Sequence, residues 1–172
     1  RNSVIAIDES DNNRPYVFFK GSPEILSERS IDIPDNYFEI GIAEQNLIGV
    51  AAGLASENFN VITTTFAPFQ TLRCCEQIKV NLAYMKNKVT MIGVASGLVQ
   101  GPLGYTHCSI EDLSIMRSLP NLNVISPADS LETVKAIDAA IKGKYSSYIR
   151  VTGTTNNPII YQAKEMPTKI KF

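Results

Sequence analysis

An acidic side chain at the head of a nearly uncharged helix, Glu44, is the first group in this chain whose setting suggests chemistry. The residues around it read NYFEIGIAEQNLIGVAAGLASE from Asn36 to Glu57, a short strand that breaks at Gly41 and leads into a helix. Leu47, Val50, Ala51 and Leu54 recur at i, i+3, i+4 and i+7 and form an apolar stripe. Ile48, Ala52, Gly53 and Ala55 leave the other side nearly as apolar, so this helix expects burial on more than one face. A carboxylate carried into such surroundings is costly without a partner, and catalytic acids are commonly set up this way. Glu is also favoured in the first turn of any helix, where unpaired N–H groups and the helix dipole stabilise negative charge. Taken alone, the stripe favours that plain capping role.

Two further groups could do chemistry. Phe66 and Phe69 stand three residues apart around Pro68, and aromatic rings at the start of a helix can wall a planar ligand, although core packing is their commoner use. The loop GLVQGPLGYTHC, Gly97–Cys108, lacks the Lys-Ser/Thr of a phosphate loop, and no G-x-G-x-x-G for a dinucleotide is present. Its glycines suit close backbone approach to a ligand or another chain. His107 and Cys108 could be a nucleophilic pair, but sequence neighbours rarely point at each other and no third group is evident. A histidine that hydrogen-bonds a substrate hydroxyl or shuttles a proton is the better reading.

These groups need elements to hold them, and strand-like and helix-like segments alternate along the chain. The strand expectations are Val4–Asp8, Tyr16–Lys20, Tyr37–Ile40, Val61–Thr65, Val89–Ala95, Asn123–Ser126 and Ser147–Val151, with room for an edge strand at Ile159–Tyr161. Gly21–Pro34 reads as irregular around a short helical piece at Pro23–Glu28. Pro68–Met85 reads as one helix with Leu72, Cys75, Ile78 and Leu82 on one side. Ser109 and Asp112 form a capping-box pattern opening a helix to about Leu119. Asp129 and Glu132 open another, with Leu131, Val134, Ile137 and Ile141 on one face. The pattern predicts an α/β fold, a doubly wound and mostly parallel sheet with helices on both faces. Ligands of such sheets bind outside the carboxyl ends of the strands. Gly41–Glu44, Thr65–Phe69, Ser96–His107 and Ser126–Asp129 all follow strands, so they should crowd one edge.

At 172 residues the chain is expected to be one domain with a full core. A net charge of -1 and 44% hydrophobic residues give no basic surplus for nucleic acid and no charge run for a membrane surface. No apolar segment reaches the roughly 18 residues of a membrane span. Three cysteines, two of them the adjacent Cys74 and Cys75, read as free thiols in a reducing compartment, so the expected location is the cytoplasm. With one histidine and no C-x-x-C, a metal site within the chain is not expected. Arg1 stands where a Met would, which suggests an excised or processed fragment.

Taken together, FEIGIAEQNLIGVAAGLA, TTFAPF, GPLGYTHCSIEDLSIMRSLPNLNVISPAD and YIRVTG resemble, in order, the pyrimidine-binding domain of the transketolase family of thiamine-diphosphate enzymes. The resemblance covers most of Val4–Gly153, a single pyrimidine-binding domain with a core of about residues 4–153 and an irregular tail over 154–172. It implies that Glu44 hydrogen-bonds N1′ of the cofactor's aminopyrimidine and shares the proton that prepares the thiazolium for attack on a ketose. Phe69 would stack on the pyrimidine, with Phe66 lining the pocket and Leu72 where many transketolases have a third aromatic. His107 would lie near the donor hydroxyls and Arg150 would grip the sugar phosphate. The reaction implied is transfer of a two-carbon ketol unit between sugar phosphates.

The sequence departs from that pattern in three places. Many transketolases read Asp-Gly-Pro-Thr-His where this chain reads Leu103-Gly-Tyr105-Thr-His107, so the Asp that contacts a donor hydroxyl is missing. Glu9-Ser10-Asp11 matches only loosely the acidic segment that touches cofactor near the dimer interface. No Gly-Asp-Gly occurs, and that motif holds Mg²⁺ and the diphosphate on a separate domain in this family. The diphosphate-binding and C-terminal domains are therefore expected elsewhere, and the isolated chain is expected to be inactive. The partner would be a diphosphate-binding domain or subunit, with a homodimer expected and helix Gln45–Ser56 a candidate interface. The same domain also serves β-subunits of 2-oxo acid dehydrogenases and deoxyxylulose-phosphate synthases, and a non-catalytic assembly module is a further alternative. Retention of Glu44 argues against that last one.

Overall fold

Neighbouring residues of the central strands enter two different cores, and this alternation fixes the architecture. The computed structural model describes residues 16–20, 37–153 and 160. Strands β1 (Tyr16–Lys20), β2 (Tyr37–Glu39), β3 (Asn60–Phe66), β4 (Val89–Val94), β5 (Leu122–Ile125) and β6 (Ser146–Arg150) form one sheet in the order β2-β1-β3-β4-β6-β5. Every neighbouring pair is parallel. On β3, Val61 enters one core and Ile62 the other; on β6, Tyr148 and Ile149 divide in the same way. Side chains of a strand alternate in direction, so both faces of this sheet are buried.

The first core lies under helix α1 (Glu44–Ser56), a π-helix at Ile78–Tyr84 and helix α4 (Asp112–Arg117), and it holds Leu47, Ile48, Ile78, Leu82, Met91 and Met116. Helix α5 (Ser130–Lys142) covers the opposite face with Ala136, Ile137, Ala140 and Ile141. Handedness accounts for this division. The connections β2→β3, β3→β4 and β4→β5 all move one way across the sheet and share a face. The return from β5 to β6 moves the other way, and a right-handed crossover then requires the opposite face. The expected doubly wound sheet is what forms.

Several local expectations need correction. Pro68–Met85 is not one helix: it divides into α2 (Ala67–Gln70), a turn at 71–74, α3 (Cys75–Gln77) and the π-helix. The Thr71 hydroxyl donates to Ala67 O at 2.7 Å, and Arg73 N reaches back five residues to Pro68 O, so the spiral widens there. The buried line therefore runs through Cys74, Ile78 and Leu82, while Leu72 is exposed and Cys75 only half-buried. The capping box at Ser109 does not form. Ser109 instead makes a two-way backbone bridge with Gly97, and α4 starts at Asp112 behind Glu111. The Asp129 start does form: its Oδ1 accepts from Glu132 N at 2.8 Å. On α5, Val134 faces solvent and Ala136 and Ala140 take the core positions.

Val4–Asp8, Glu9–Asp11 and Pro23–Glu28 lie outside the described residues. Of Ile159–Tyr161 only Ile160 is described; it is not in a strand, and its N–H donates to Asp129 Oδ2 at 2.9 Å.

Candidate active site

The carboxyl ends of β2, β3, β4 and β6 open on one edge of the parallel sheet, and the residues with chemical potential follow them. Gly41, at φ 75°, turns the chain from β2 into α1 in a conformation that glycine adopts without strain. Glu44 is the first residue of α1, only 3% exposed. Its carboxylate does not cap its own helix through a side-chain bond; instead Oε2 accepts from Arg73 Nη1 at 2.8 Å. Arg73 is 43% exposed, and its guanidinium lies 3.9 Å over the Phe69 ring. Gln45 Nε2 donates to Arg73 O at 3.2 Å and ties α1 to the turn that carries the arginine.

Phe66 ends β3 and Phe69 sits in the four-residue α2, whose first turn contains Pro68. So short a helix needs anchoring, and buried Gln70 supplies it by donating to Thr63 Oγ1 at 2.8 Å. Phe66, Phe69 and His107 then meet edge to face, with ring centroids 6.0 Å (Phe66–Phe69), 6.2 Å (Phe66–His107) and 5.2 Å (Phe69–His107) apart. Tilted aromatic pairs at these distances are favourable. The fold has thus brought Glu44, Phe66, Phe69 and His107, separated by up to sixty-odd residues, into one corner.

The His107 loop is held at its base. Gly97 N and Ser109 N donate to each other's carbonyls at 2.9 and 2.8 Å, and two 3₁₀ turns, Gly101–Leu103 and Tyr105–His107, fill the loop. His107 Nδ1 shares a hydrogen bond with Thr106 Oγ1 at 3.1 Å, while Cys108 Sγ donates to Gly104 O at 3.5 Å. Thiol and imidazole are engaged separately, which fits the reading of His107 as a lone hydrogen-bonding group. Leu103 and Tyr105 are exposed on the same loop.

Leu72 immediately precedes Arg73 and is 55% exposed. Arg150 ends β6 with Nε donating to Asp112 Oδ2 at 2.8 Å and Nη1 donating to Thr152 Oγ1 at 2.9 Å. Tyr148 Oη donates to the same Asp112 oxygen at 2.8 Å. Burial, then the Asp112 charge, push the Tyr148 hydroxyl far above the usual phenol range. The Tyr148 side chain lies against Gly93 of β4, where any Cβ would fall 2.6 Å from its Cε2 and Oη.

Sequence reasoning missed Arg73, Cys74, Asp112 and Tyr148. Arg73 is four residues after Phe69, one helical turn, and is the lone charge in FAPFQTLRCC; that spacing was the available signal. Cys74 lies beneath the corner, donating to Phe69 O at 3.1 Å. Burial first, and the Glu44 charge second, push its thiol up to about 12, with Arg73 opposing. It stays protonated at neutral pH and is no nucleophile. A shallow groove of about 550 Å³ runs along Leu113, Arg117 and Leu122–Val124, and none of its lining residues belongs to this corner.

A flat group that both stacks and hydrogen-bonds suits the corner, since the guanidinium does both on Phe69 and Glu44. Residues 10–155 match the family described as the transketolase pyrimidine-binding domain. The chain is 36% identical to one subunit of the apulose-4-phosphate transketolase of Phocaeicola vulgatus over 137 residues, 80% of this chain and 44% of that protein. It is 36% identical to human transketolase over 163 residues, 94% of this chain and 24% of that protein. A solved split-gene transketolase, an inactive β4 tetramer, superposes with a TM-score of 0.78 at 31% identity, covering 91% of this chain and 49% of that one. The chain spans less than half the length of these relatives. It belongs to the pyrimidine-binding domain family of the transketolases.

Proposed function

We propose that this chain supplies the pyrimidine half of a transketolase active site and completes it with a diphosphate-binding domain or subunit. The assembled enzyme transfers a two-carbon ketol unit between sugar phosphates. The observation that carries this reading is a buried carboxylate, Glu44, facing the Phe69 ring across a distance bridged by one planar group. Thiamine diphosphate, on which the family depends, supplies the carbanion chemistry when bound. Glu44 holds the proton at N1′ of its aminopyrimidine. Phe69 and Phe66 wall the ring and exclude water, and Leu72 forms the rim. His107, packed against Phe69, presents its outer nitrogen to donor hydroxyls. Arg150 offers the sugar phosphate what remains of a fork already serving Asp112 and Thr152.

The relatives' names support this division of labour, because one is a single subunit of a transketolase and one comes from a split gene. Mg²⁺ and the diphosphate would be held by the partner. A homodimer, a cytoplasmic location and a role in carbohydrate metabolism belong to the same proposal. Leu103, standing without an acidic side chain beside His107, points to a donor other than the common pentose phosphates.

The test is reconstitution. Mixing the chain with the diphosphate-binding partner, thiamine diphosphate and Mg²⁺ should produce ketol transfer, and Glu44→Ala should lower it on the order of a hundredfold. Activity within about twofold of the parent in that variant would remove Glu44 from its role.

A further inference from the structure

In the free chain the two contacts assigned to the aminopyrimidine are already taken. Arg73 Nη1 bonds Glu44 Oε2 at 2.8 Å, and the guanidinium carbon sits 3.9 Å from the Phe69 ring centroid. A guanidinium is planar, donates in its own plane and stacks on aromatic faces. An aminopyrimidine held by the same carboxylate and ring needs that same combination. We infer that Arg73 is a built-in plug of the pyrimidine subsite, seated in the free chain and displaced when cofactor enters. The inference rests on the proposed cofactor role of Glu44 and Phe69.

Two physical points support it. Glu44 is almost wholly buried, and without cofactor its charge needs a partner, because an unpaired buried carboxylate is costly. Arg73 is the partner the structure provides. Its own side chain is 43% exposed and its stem is long, so it can swing into solvent and keep its hydration. The plug is thus secured at the buried end and free to leave at the other. Gln45 holds only the backbone carbonyl of Arg73, so the side chain can move while the turn stays in place.

A plugged site binds its ligand more weakly by the fraction of molecules that are open. Calorimetric titration of thiamine diphosphate with Mg²⁺ into the complex of this chain and its diphosphate-binding partner reads that weakening as the apparent Kd, to be compared with an unplugged variant. Arg73→Met should lower Kd by about three- to tenfold, and Arg73→Lys, which keeps charge but not the planar face, should fall between the two. The guanidinium NMR signals of Arg73 in the parent should be protected from solvent exchange before cofactor is added and lose that protection after. Equal or weaker binding by Arg73→Met, or protection that persists in the loaded complex, overturns the plug while leaving the proposed function intact. If the parent complex takes up no cofactor, the functional reading fails and the plug fails with it.

Discussion

Arg150 donates its Nε to a wholly buried oxygen of Asp112, 2.8 Å away, and this ion pair joins the end of β6 to the first residue of α4. Both ends flank the His107 loop: Asp112 follows the Ser109 side of its base, and Arg150 Nη2 lies beside Gly97 on the other. Removing one partner leaves a charge and the Tyr148 hydroxyl without their acceptor. Asp112→Ala should therefore cost about 3–5 kcal/mol, read from the urea midpoint. A loss below about 1 kcal/mol would show that solvent replaces the pair easily.

The thiol of Cys74 gives a pH signature. Its pKa rises from 9.0 to about 12 on folding, so the folded state retains a proton that the unfolded chain releases. The stability from this group is complete below pH 9 and falls as pH climbs from 9 toward 12. The slope is roughly 1.4 kcal/mol per pH unit at most. Tyr148, also raised, adds its own loss only above about pH 10, the ordinary phenol value. Between about pH 9 and 10, then, Cys74→Ala should flatten the stability curve, and an unchanged slope would place the effect elsewhere.

Gly93 has no room for a methyl group. The added Cβ would lie 2.6 Å from Cε2 and from Oη of Tyr148, and that side chain is fixed by its bond to Asp112. Gly93→Ala should destabilise by about 1–3 kcal/mol, the usual range for overpacking. Combining it with Tyr148→Ala should recover part of the loss relative to the sum of the single variants, measured as a double-mutant cycle.

His107 tests the proposed contact with the sugar. In the reconstituted enzyme, His107→Ala should slow turnover by about 10²-fold or more while changing the cofactor Kd little. Its relative rates across ketose donors should also shift. A profile identical in shape to the parent's would separate His107 from the sugar.

The sheet was readable because short apolar strands alternate with helical segments, and adjacent apolar residues such as Val61 and Ile62, or Tyr148 and Ile149, divide between two cores as a doubly wound fold requires. Glu44, Phe66, Phe69 and His107 were readable as neighbours because their segments each follow a strand of one parallel sheet; the role of each came only through the ordered family motifs. The helix after Pro68 was misread because Thr71 turns its hydroxyl onto the backbone and the spiral widens, which no apolar period records. Asp112 looked like a cap because Ser-x-x-Asp is a local pattern. Its partners, Tyr148 and Arg150, lie more than thirty residues away, and that long-range demand prevailed.

The two-way bridge between Gly97 and Ser109 separates the loop beyond it from the sheet below. Leu103 and Tyr105 are exposed beyond that clasp, and substitutions at exposed positions ordinarily cost little stability. The exposed tip can accept new residues at little cost to folding. Under the proposed function, sugar choice becomes a property that selection can rewrite one side chain at a time at Leu103 and Tyr105, while His107 stays packed against Phe69.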